Sequence, residues 1–205
     1  MTWKVGILLV GNDLVDLLDP QADPRSIHQG FDARVMTTEE NRLVLSALDP
    51  HRLRWMLWAA KESAFKVVKK MDPSAVFHPK AFEVDLTTFD GVHVRHSKTD
   101  FETVLFHSPK WVHAVTTLES RSAKCGSRLH SRVLSLESRN GPFDSSMEVR
   151  TFTRKALGSW LGISWAEVEI VTENRIPRVT RGGKRLEIDL SLAHDGNFVA
   201  CAWKA

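Results

Sequence analysis

Three groups of polar and charged residues in this sequence could together bind a cation and a phosphate. The groups are Asp13 with Asp16, Lys61-Glu62 with Lys66, and the segment Ser191-Leu192-Ala193-His194-Asp195-Gly196. Glu62 and Lys66 are four residues apart and therefore share one face of a helix. Two carboxylates, completed by phosphate oxygens and waters, are a usual ligand set for Mg²⁺. The nearby lysines could meet a phosphate, so the set predicts a site for a metal and an anionic ligand.

Each group also has an ordinary structural interpretation. Asp13 and Asp16 could cap a loop after a strand. Glu62 and Lys66 could be an exposed ion pair that stabilises the helix by about 0.3–0.5 kcal/mol. For any one group alone the structural interpretation is favoured, and only the combination favours a functional site.

Two helices and a buried strand should position the first two groups. The apolar run at 5–10 predicts a strand that delivers Asn12, Asp13 and Asp16 to a sheet edge. Thr37 and Glu40 form a capping-box pattern, which predicts a helix to about residue 48. The next helix should begin after the N-cap residue Asp49 and run to residue 70, because Pro73 prevents its continuation.

The remaining patterns predict strands, a linker and a third helix. Strands are expected at 81–86, 91–96, 103–107 and 112–117, as an antiparallel meander. A Ser/Arg-rich stretch at 119–144 is predicted to be a linker with one short strand at 132–136. Ser145 and Glu148 then predict a helix to residue 161, followed by strands at 167–171, 187–192 and 198–203. Helix-then-strands thus occurs twice, which indicates two similar halves.

Composition excludes several classes of protein. The chain has 205 residues, of which 42% are hydrophobic and 26% charged, values typical of a soluble globular protein. No apolar run approaches the roughly 18 residues of a membrane span, so no membrane association is expected. The only cysteines, Cys125 and Cys201, have neither metal-site nor disulfide-framework spacing, which favours a cytoplasmic protein. The sequence pI is about 9.0, which suits an anionic ligand or an acidic partner.

These sequence motifs resemble those of the 4′-phosphopantetheinyl transferase superfamily. The matching pieces are Gly11-Asn12-Asp13-Leu14-Val15-Asp16, Arg34-Val35-Met36-Thr37 with Glu40, Trp58 to Lys66, and Ser191 to Gly196. The aromatic-x-x-Lys-Glu-[Ala/Ser]-x-x-Lys signature is complete and specific. Ala193 stands where the family usually has serine. The resemblance covers about 1–118 and 145–205.

The resemblance implies a reaction and a set of catalytic residues. Family members transfer phosphopantetheine from coenzyme A to a serine of an apo acyl or peptidyl carrier protein, with Mg²⁺, and release adenosine 3′,5′-bisphosphate. Asp13 and Glu62 would bind the metal, and Lys66 would contact phosphate or assist proton transfer. Asp16 occupies a position that is acidic in the shorter, synthase-type members, so it joins the expected metal ligands. Val15 stands where longer members have a second acidic ligand.

The resemblance also implies the coenzyme A contacts and the architecture. Lys61, Ser191 and His194 would contact coenzyme A. The expected fold is α+β, with two similar α/β halves, each a long helix on an antiparallel sheet, as in a pseudo-dimer. The half with the Gly-x-Asp and Lys-Glu motifs would span 1–118, the linker 119–144, and the half with the Ser-x-Ala-His motif 145–205. Such a chain is expected to be a monomer.

Two evolutionary origins could explain the order of the motifs. It could be a circular permutation of a two-half member, because the order of the two motif-bearing halves is reversed. It could instead be a synthase-type domain with a long insertion before its last strands. The helix after the linker favours permutation, since an insertion need not repeat helix-then-strands.

Other functions fit the residues less well. Ser191, His194 and Asp195 are too close in sequence for a hydrolase triad, and no Gly-x-Ser-x-Gly elbow occurs. A non-catalytic basic module that binds nucleic acid or a carrier protein is the alternative. Against nucleic acid, acidic residues are spread evenly along the chain and no binding motif is present. We therefore expect no nucleic-acid partner.

Overall fold

A computed structural model describes residues 8–86, 91–119, 128–137 and 144–205. These residues form ten strands and four α-helices. In chain order they are β1 (Leu8–Asp16), α1 (Phe31–Val35), α2 (Thr38–Ser46), α3 (Pro50–Met71), β2 (Phe82–Asp85), β3 (Val92–His96), β4 (Thr99–His107), β5 (Trp111–Glu119), β6 (Leu129–Ser135), α4 (Ser145–Leu161), β7 (Glu169–Glu173), β8 (Ile176–Arg181), β9 (Lys184–Asp195) and β10 (Phe198–Lys204).

The first half of the chain, residues 8–119, is one antiparallel sheet with α3 on one face. Its strand order is β1-β5-β4-β3-β2, so β1 is an edge strand. The helix begins where Asp49 accepts a hydrogen bond from the Arg52 N–H and Pro50 takes the first position. Its apolar face, which includes Leu57, Ala60 and Ala64, is fully buried against the sheet. Burial of this face fixes α3 over β1 and β5.

The second half, residues 128–205, repeats this plan. Its strand order is β6-β10-β9-β8-β7, and α4 packs on it through Leu157 and Val149. Gly162 ends α4 in the left-handed conformation, with φ 70°. The predicted α+β fold with two similar halves is confirmed.

The two sheets pack against each other where β1 and β5 meet β10. Every residue of β10 is buried, because its side chains alternate between the two faces of the sheet and both faces are covered. Cys201 and Trp203 face α4, whereas Ala200 and Ala202 pack against the first sheet. This interior strand of the second sheet is therefore covered on both faces, which explains its continuous apolar sequence.

The structure differs from the sequence-based expectations in the ends of some elements and in the number of strands. The first strand does not stop at residue 10 but continues to Asp16, and the part of the expected run at 5–7 lies outside the described residues. The N-cap of α4 is Asp144, whose carboxylate accepts from the N–H groups of Ser146 and Met147, rather than Ser145. Strand β8 was not predicted. Strand β6 lies in the expected linker, overlaps the short strand predicted at 132–136 but begins at Leu129, and pairs with β10.

One expectation about a helix end is confirmed. The Thr37–Glu40 capping box is present, since each side chain bonds to the other residue's backbone N–H. Across the described ranges, we find no helix with the length and apolar content that a membrane span requires.

Candidate active site

The closest approach of α3 to β1 places the predicted acidic and basic residues together. Gly11 makes this approach possible, because a Cβ at this position would collide with the carbonyl oxygen of Ser63. Two residues along β1, Asp13 projects towards the helix. Lys66 Nζ donates to Asp13 Oδ1 at 2.8 Å and to the Asn12 carbonyl oxygen at 2.8 Å. The ammonium is thus held by one side chain and one backbone carbonyl.

The carboxyl groups of Glu62 and Asp13 form a pair beside Lys66. Glu62 lies one helical turn before Lys66, and its carboxyl group is close enough to that of Asp13 for the two to perturb each other's pKa. Burial, followed by the negative charge of Asp13, raises the pKa of Glu62 to about 7. Burial also raises the pKa of Asp13, although the charge of Lys66 opposes this rise. Two adjacent carboxyl groups that resist simultaneous ionisation are chemically suited to a cation between them.

A third carboxyl group approaches from the second half. Burial raises the pKa of Asp195 to about 6, and the charges of Asp19, Asp13 and Asp16 add to this rise. Its oxygen Oδ2 accepts a hydrogen bond from the backbone N–H of Asp16 at 2.8 Å. Sequence reasoning did not assign Asp195 a role in the site, although it lies on the same strand as the predicted Ser191.

A basic cleft of about 250 Å³ opens between the halves next to Lys66. It is bordered by α3, α4, the β7–β8 turn and β9. Its cationic side chains are Lys66, Lys69, Lys70, Arg150 and Arg175, and Ser191 and His194 also contribute to its wall. A cleft with this charge, next to a carboxylate pair, can hold a phosphorylated ligand.

Most of these cations are already bound to protein groups. Lys70 Nζ donates to Asp189 Oδ2 and to the carbonyl oxygens of Val10 and Leu190. Arg150 donates to the Ile170 carbonyl and to Thr172 Oγ1.

Arg175 is different, because it is exposed and occupies the left-handed region with φ 66°. Together with Asn174 (φ 52°), it forms the turn between β7 and β8. Glycine adopts this conformation most readily. An arginine here therefore directs a long cation to the cleft at some cost in backbone strain.

A model of the 4′-phosphopantetheinyl transferase superfamily matches residues 9–116, which is more than half of the chain. The chain belongs to this superfamily. A search among curated proteins found no match. Among solved structures, the chain is similar to the holo-[acyl-carrier-protein] synthase of Thermotoga maritima, at 14% identity and a TM-score of 0.44, over 87% of this chain and 86% of that one.

The transferase superfamily motif contains Lys61, which the structure places away from the cleft. Lys61 is fully buried on the opposite side of α3. Its Nζ lies 2.8 Å from Glu40 Oε2 and donates to the carbonyl oxygens of Pro79 and Phe82. The expected contact between Lys61 and coenzyme A does not fit this position, because a buried ion pair occupies the ammonium. Lys61 instead joins α3 to α2 and β2.

Asp16 also has a different position from the one expected. Its Oδ1 accepts from the N–H of Leu18 and its Oδ2 from the N–H of Asn197, each at 2.9 Å. Oδ1 therefore stabilises the turn that follows β1, and Oδ2 holds the turn between β9 and β10. Within the described ranges, no three His, Cys, Asp or Glu side chains are arranged to hold a metal ion. A metal would thus rely on Asp13 and Glu62 as its protein ligands, with water and substrate oxygens.

The two remaining predicted contacts lie on β9. His194 is exposed at the cleft and can meet a ligand there. Ser191 is 4% exposed, and its Oγ accepts the backbone N–H of Asn12 at 2.9 Å. The structure thus brings Asp13, Glu62, Lys66 and His194 to one region and gives Ser191 a partner in the first half.

Proposed function

We propose that this protein transfers the 4′-phosphopantetheine of coenzyme A to a serine of an apo acyl or peptidyl carrier protein, with Mg²⁺, and releases adenosine 3′,5′-bisphosphate. The observation that carries the proposal is the juxtaposition of the Asp13–Glu62 carboxyl pair and Lys66 with a basic cleft. Membership of the superfamily supports the type of reaction.

In the proposed reaction, the carrier serine oxygen forms a bond to the phosphorus that bears the pantetheine arm. The bond from this phosphorus to the bridging oxygen of the diphosphate breaks, and adenosine 3′,5′-bisphosphate leaves with that oxygen. The serine hydroxyl releases its proton to solvent water. Such substitutions depend mainly on positioning and on neutralisation of charge.

The residues of this chain supply both requirements. Lys66, fixed by Asp13 and the Asn12 carbonyl, presents a positive charge towards the cleft and would contact the diphosphate. Arg175 and His194 would contact the nucleotide end of coenzyme A, because neither is buried and both border the cleft. Both halves of the chain would thus contribute polar or cationic side chains to coenzyme A.

Asp13 and Glu62 fit Mg²⁺ because they offer hard oxygen donors that are close together and partly shielded from water. When bound there, the metal would neutralise charge on the diphosphate and stabilise the leaving group. Asp195 adds a third negative charge nearby without completing a ligand set.

We further propose that the protein is a cytoplasmic monomer. The cleft is formed by two halves of one chain, and Cys201 is a buried free thiol, which suits a reducing compartment. Sedimentation at the concentration of the assay tests the first point, and a trimer would contradict it.

The test is the mass of an apo carrier protein after incubation with coenzyme A, Mg²⁺ and this protein. We expect the carrier to gain one phosphopantetheine. Glu62→Gln and Asp13→Asn should abolish the gain, whereas Glu83→Gln, an exposed residue on β2, should retain it. No gain over a panel of fatty-acid, polyketide and peptide-synthetase carriers would overturn the proposal and favour a non-catalytic module.

A further inference from the structure

The free edge of β1 is satisfied by side chains of β9 rather than by another strand. The backbone N–H groups of Val10, Asn12 and Asp16 donate to Asp189 Oδ2, Ser191 Oγ and Asp195 Oδ2, at 2.7, 2.9 and 2.8 Å. Each pair is separated by 179 residues, so the two strands run side by side in the same direction. Alternate residues of β9 therefore face alternate N–H groups of β1.

The one position without such a bond is filled by an apolar contact. Leu14 packs with Ala193, Phe198 and Ala200 between the sheets. A serine at 193, the residue usual in the family, would place a hydroxyl in this apolar cluster. The row of contacts connects an otherwise exposed sheet edge of the first half to the second half.

The bond between Asn12 and Ser191 lies directly behind the candidate active site. The carbonyl oxygen of Asn12 accepts from Lys66 Nζ, and its N–H donates to Ser191 Oγ. Asp13, the next residue, accepts from the same Lys66. A rotation of the peptide groups around Asn12 would therefore move both acceptors of Lys66.

The side chain of Asn12 is held from a third direction. Its Nδ2 lies 3.2 Å from Nε2 of His113 on β5, in the layer between the sheets. Both side chains are almost completely buried. Burial and the positive charge of Lys66 lower the pKa of His113 to about 4, so the neutral imidazole can accept this hydrogen bond. Phe106 stacks on the imidazole ring.

We propose that Ser191, Asn12 and His113 form a positioning unit that spans the two halves and fixes Lys66 and Asp13 for the reaction. Ser191 acts through Asn12 and not on coenzyme A, which revises the role that the sequence motif implies. The unit also makes the geometry of the first-half site depend on the docking of the second half. The inference rests on the proposed transferase function.

The experiment compares kcat with the dissociation constant for coenzyme A, measured by calorimetry, in Ser191→Ala. We expect kcat to fall about 10- to 100-fold, as is typical when a supporting contact behind a catalytic group is removed. The dissociation constant should change less than twofold. Ser191→Thr retains the hydroxyl and should restore most of kcat.

A control separates positioning from a general loss of stability. Val179→Ala removes buried methyl groups in the core of the second half, away from β1. It should lower the melting temperature while kcat stays close to that of the wild type. If Ser191→Ala does not fold, His113→Phe provides the same test, because it keeps an aromatic ring but removes the acceptor, and His113→Gln should retain more activity.

Two results would overturn the inference. A weaker coenzyme A affinity with unchanged kcat in Ser191→Ala would show direct contact with the substrate. Wild-type kcat in both Ser191→Ala and His113→Phe would show that Lys66 does not need the unit. A wild-type protein that neither binds coenzyme A nor modifies a carrier would instead refute the proposed function.

Discussion

Acid should destabilise this protein through His113, and the size of the effect follows from its burial. The imidazole is 1% exposed, and burial together with Lys66 lowers its pKa to about 4. In the unfolded chain the pKa of histidine is about 6.5. As the pH falls from about 6.5 to about 4, the unfolded state binds a proton that the folded state does not. The folded state is therefore progressively disfavoured in this window.

The magnitude comes from the difference between the two pKa values. Each pKa unit corresponds to about 1.36 kcal/mol, so His113 should remove about 2 kcal/mol of stability by pH 5 and about 3 kcal/mol by pH 4. This is a large part of the 5–15 kcal/mol typical of a folded domain. His113→Gln cannot bind the proton and keeps an acceptor for Asn12.

Urea unfolding of the wild type and His113→Gln at pH 7, 6, 5 and 4 measures this contribution. The buried carboxyl groups titrate in both proteins, so the difference between the two free energies isolates the histidine. Val179→Ala controls for a pH-independent loss of stability. We expect the wild type to lose about 3 kcal/mol relative to His113→Gln between pH 7 and pH 4. Parallel curves for the two proteins would refute a neutral, buried His113.

Three further substitutions test other parts of the structure. Lys61→Met should lower the free energy of unfolding by about 3–5 kcal/mol, since it leaves the buried Glu40 carboxylate without an opposite charge. Unchanged stability together with weaker coenzyme A binding would support the role that the motif implies. Arg175→Gly should leave the melting temperature unchanged or higher, because glycine suits φ 66°, and should weaken binding of adenosine 3′,5′-bisphosphate about tenfold, as measured by calorimetry. Gly196→Ala should destabilise the protein by clearly more than Gly182→Ala: both glycines have positive φ, but only at 196 would a Cβ collide with the carboxylate of Asp16. Equal melting temperatures for the two alanine variants would contradict this reasoning.

Local signals allowed most of the elements to be predicted from the sequence. The Thr37–Glu40 capping box and the Asp49-Pro50 start both set helix ends, because the contacts that define them lie within four residues. The first strand was predicted too short. Gly11 and the polar residues after it interrupt the apolar pattern, yet β1 continues because β5 pairs with it and side chains of β9 satisfy its free edge.

The candidate site was predicted in part, and the errors share a physical cause. Asp13, Glu62 and Lys66 meet as expected, because helical spacing and the Gly11 contact bring them together. Motif adjacency placed Lys61 at the same site, but a neighbouring helical position points in another direction, and Glu40 binds it there. The contributions of Asp195 and Arg175 depend on how the halves dock, which local sequence patterns do not encode.

The most direct test of the account is the mass of an apo carrier protein after incubation with coenzyme A and either the wild type or Glu62→Gln, with and without Mg²⁺. We expect the carrier to gain one phosphopantetheine only with the wild type and Mg²⁺. Adenosine 3′,5′-bisphosphate should appear in equal amount. An unchanged carrier mass with the wild type, or an equal gain with Glu62→Gln, would contradict the assignment of this carboxyl pair to phosphopantetheinyl transfer.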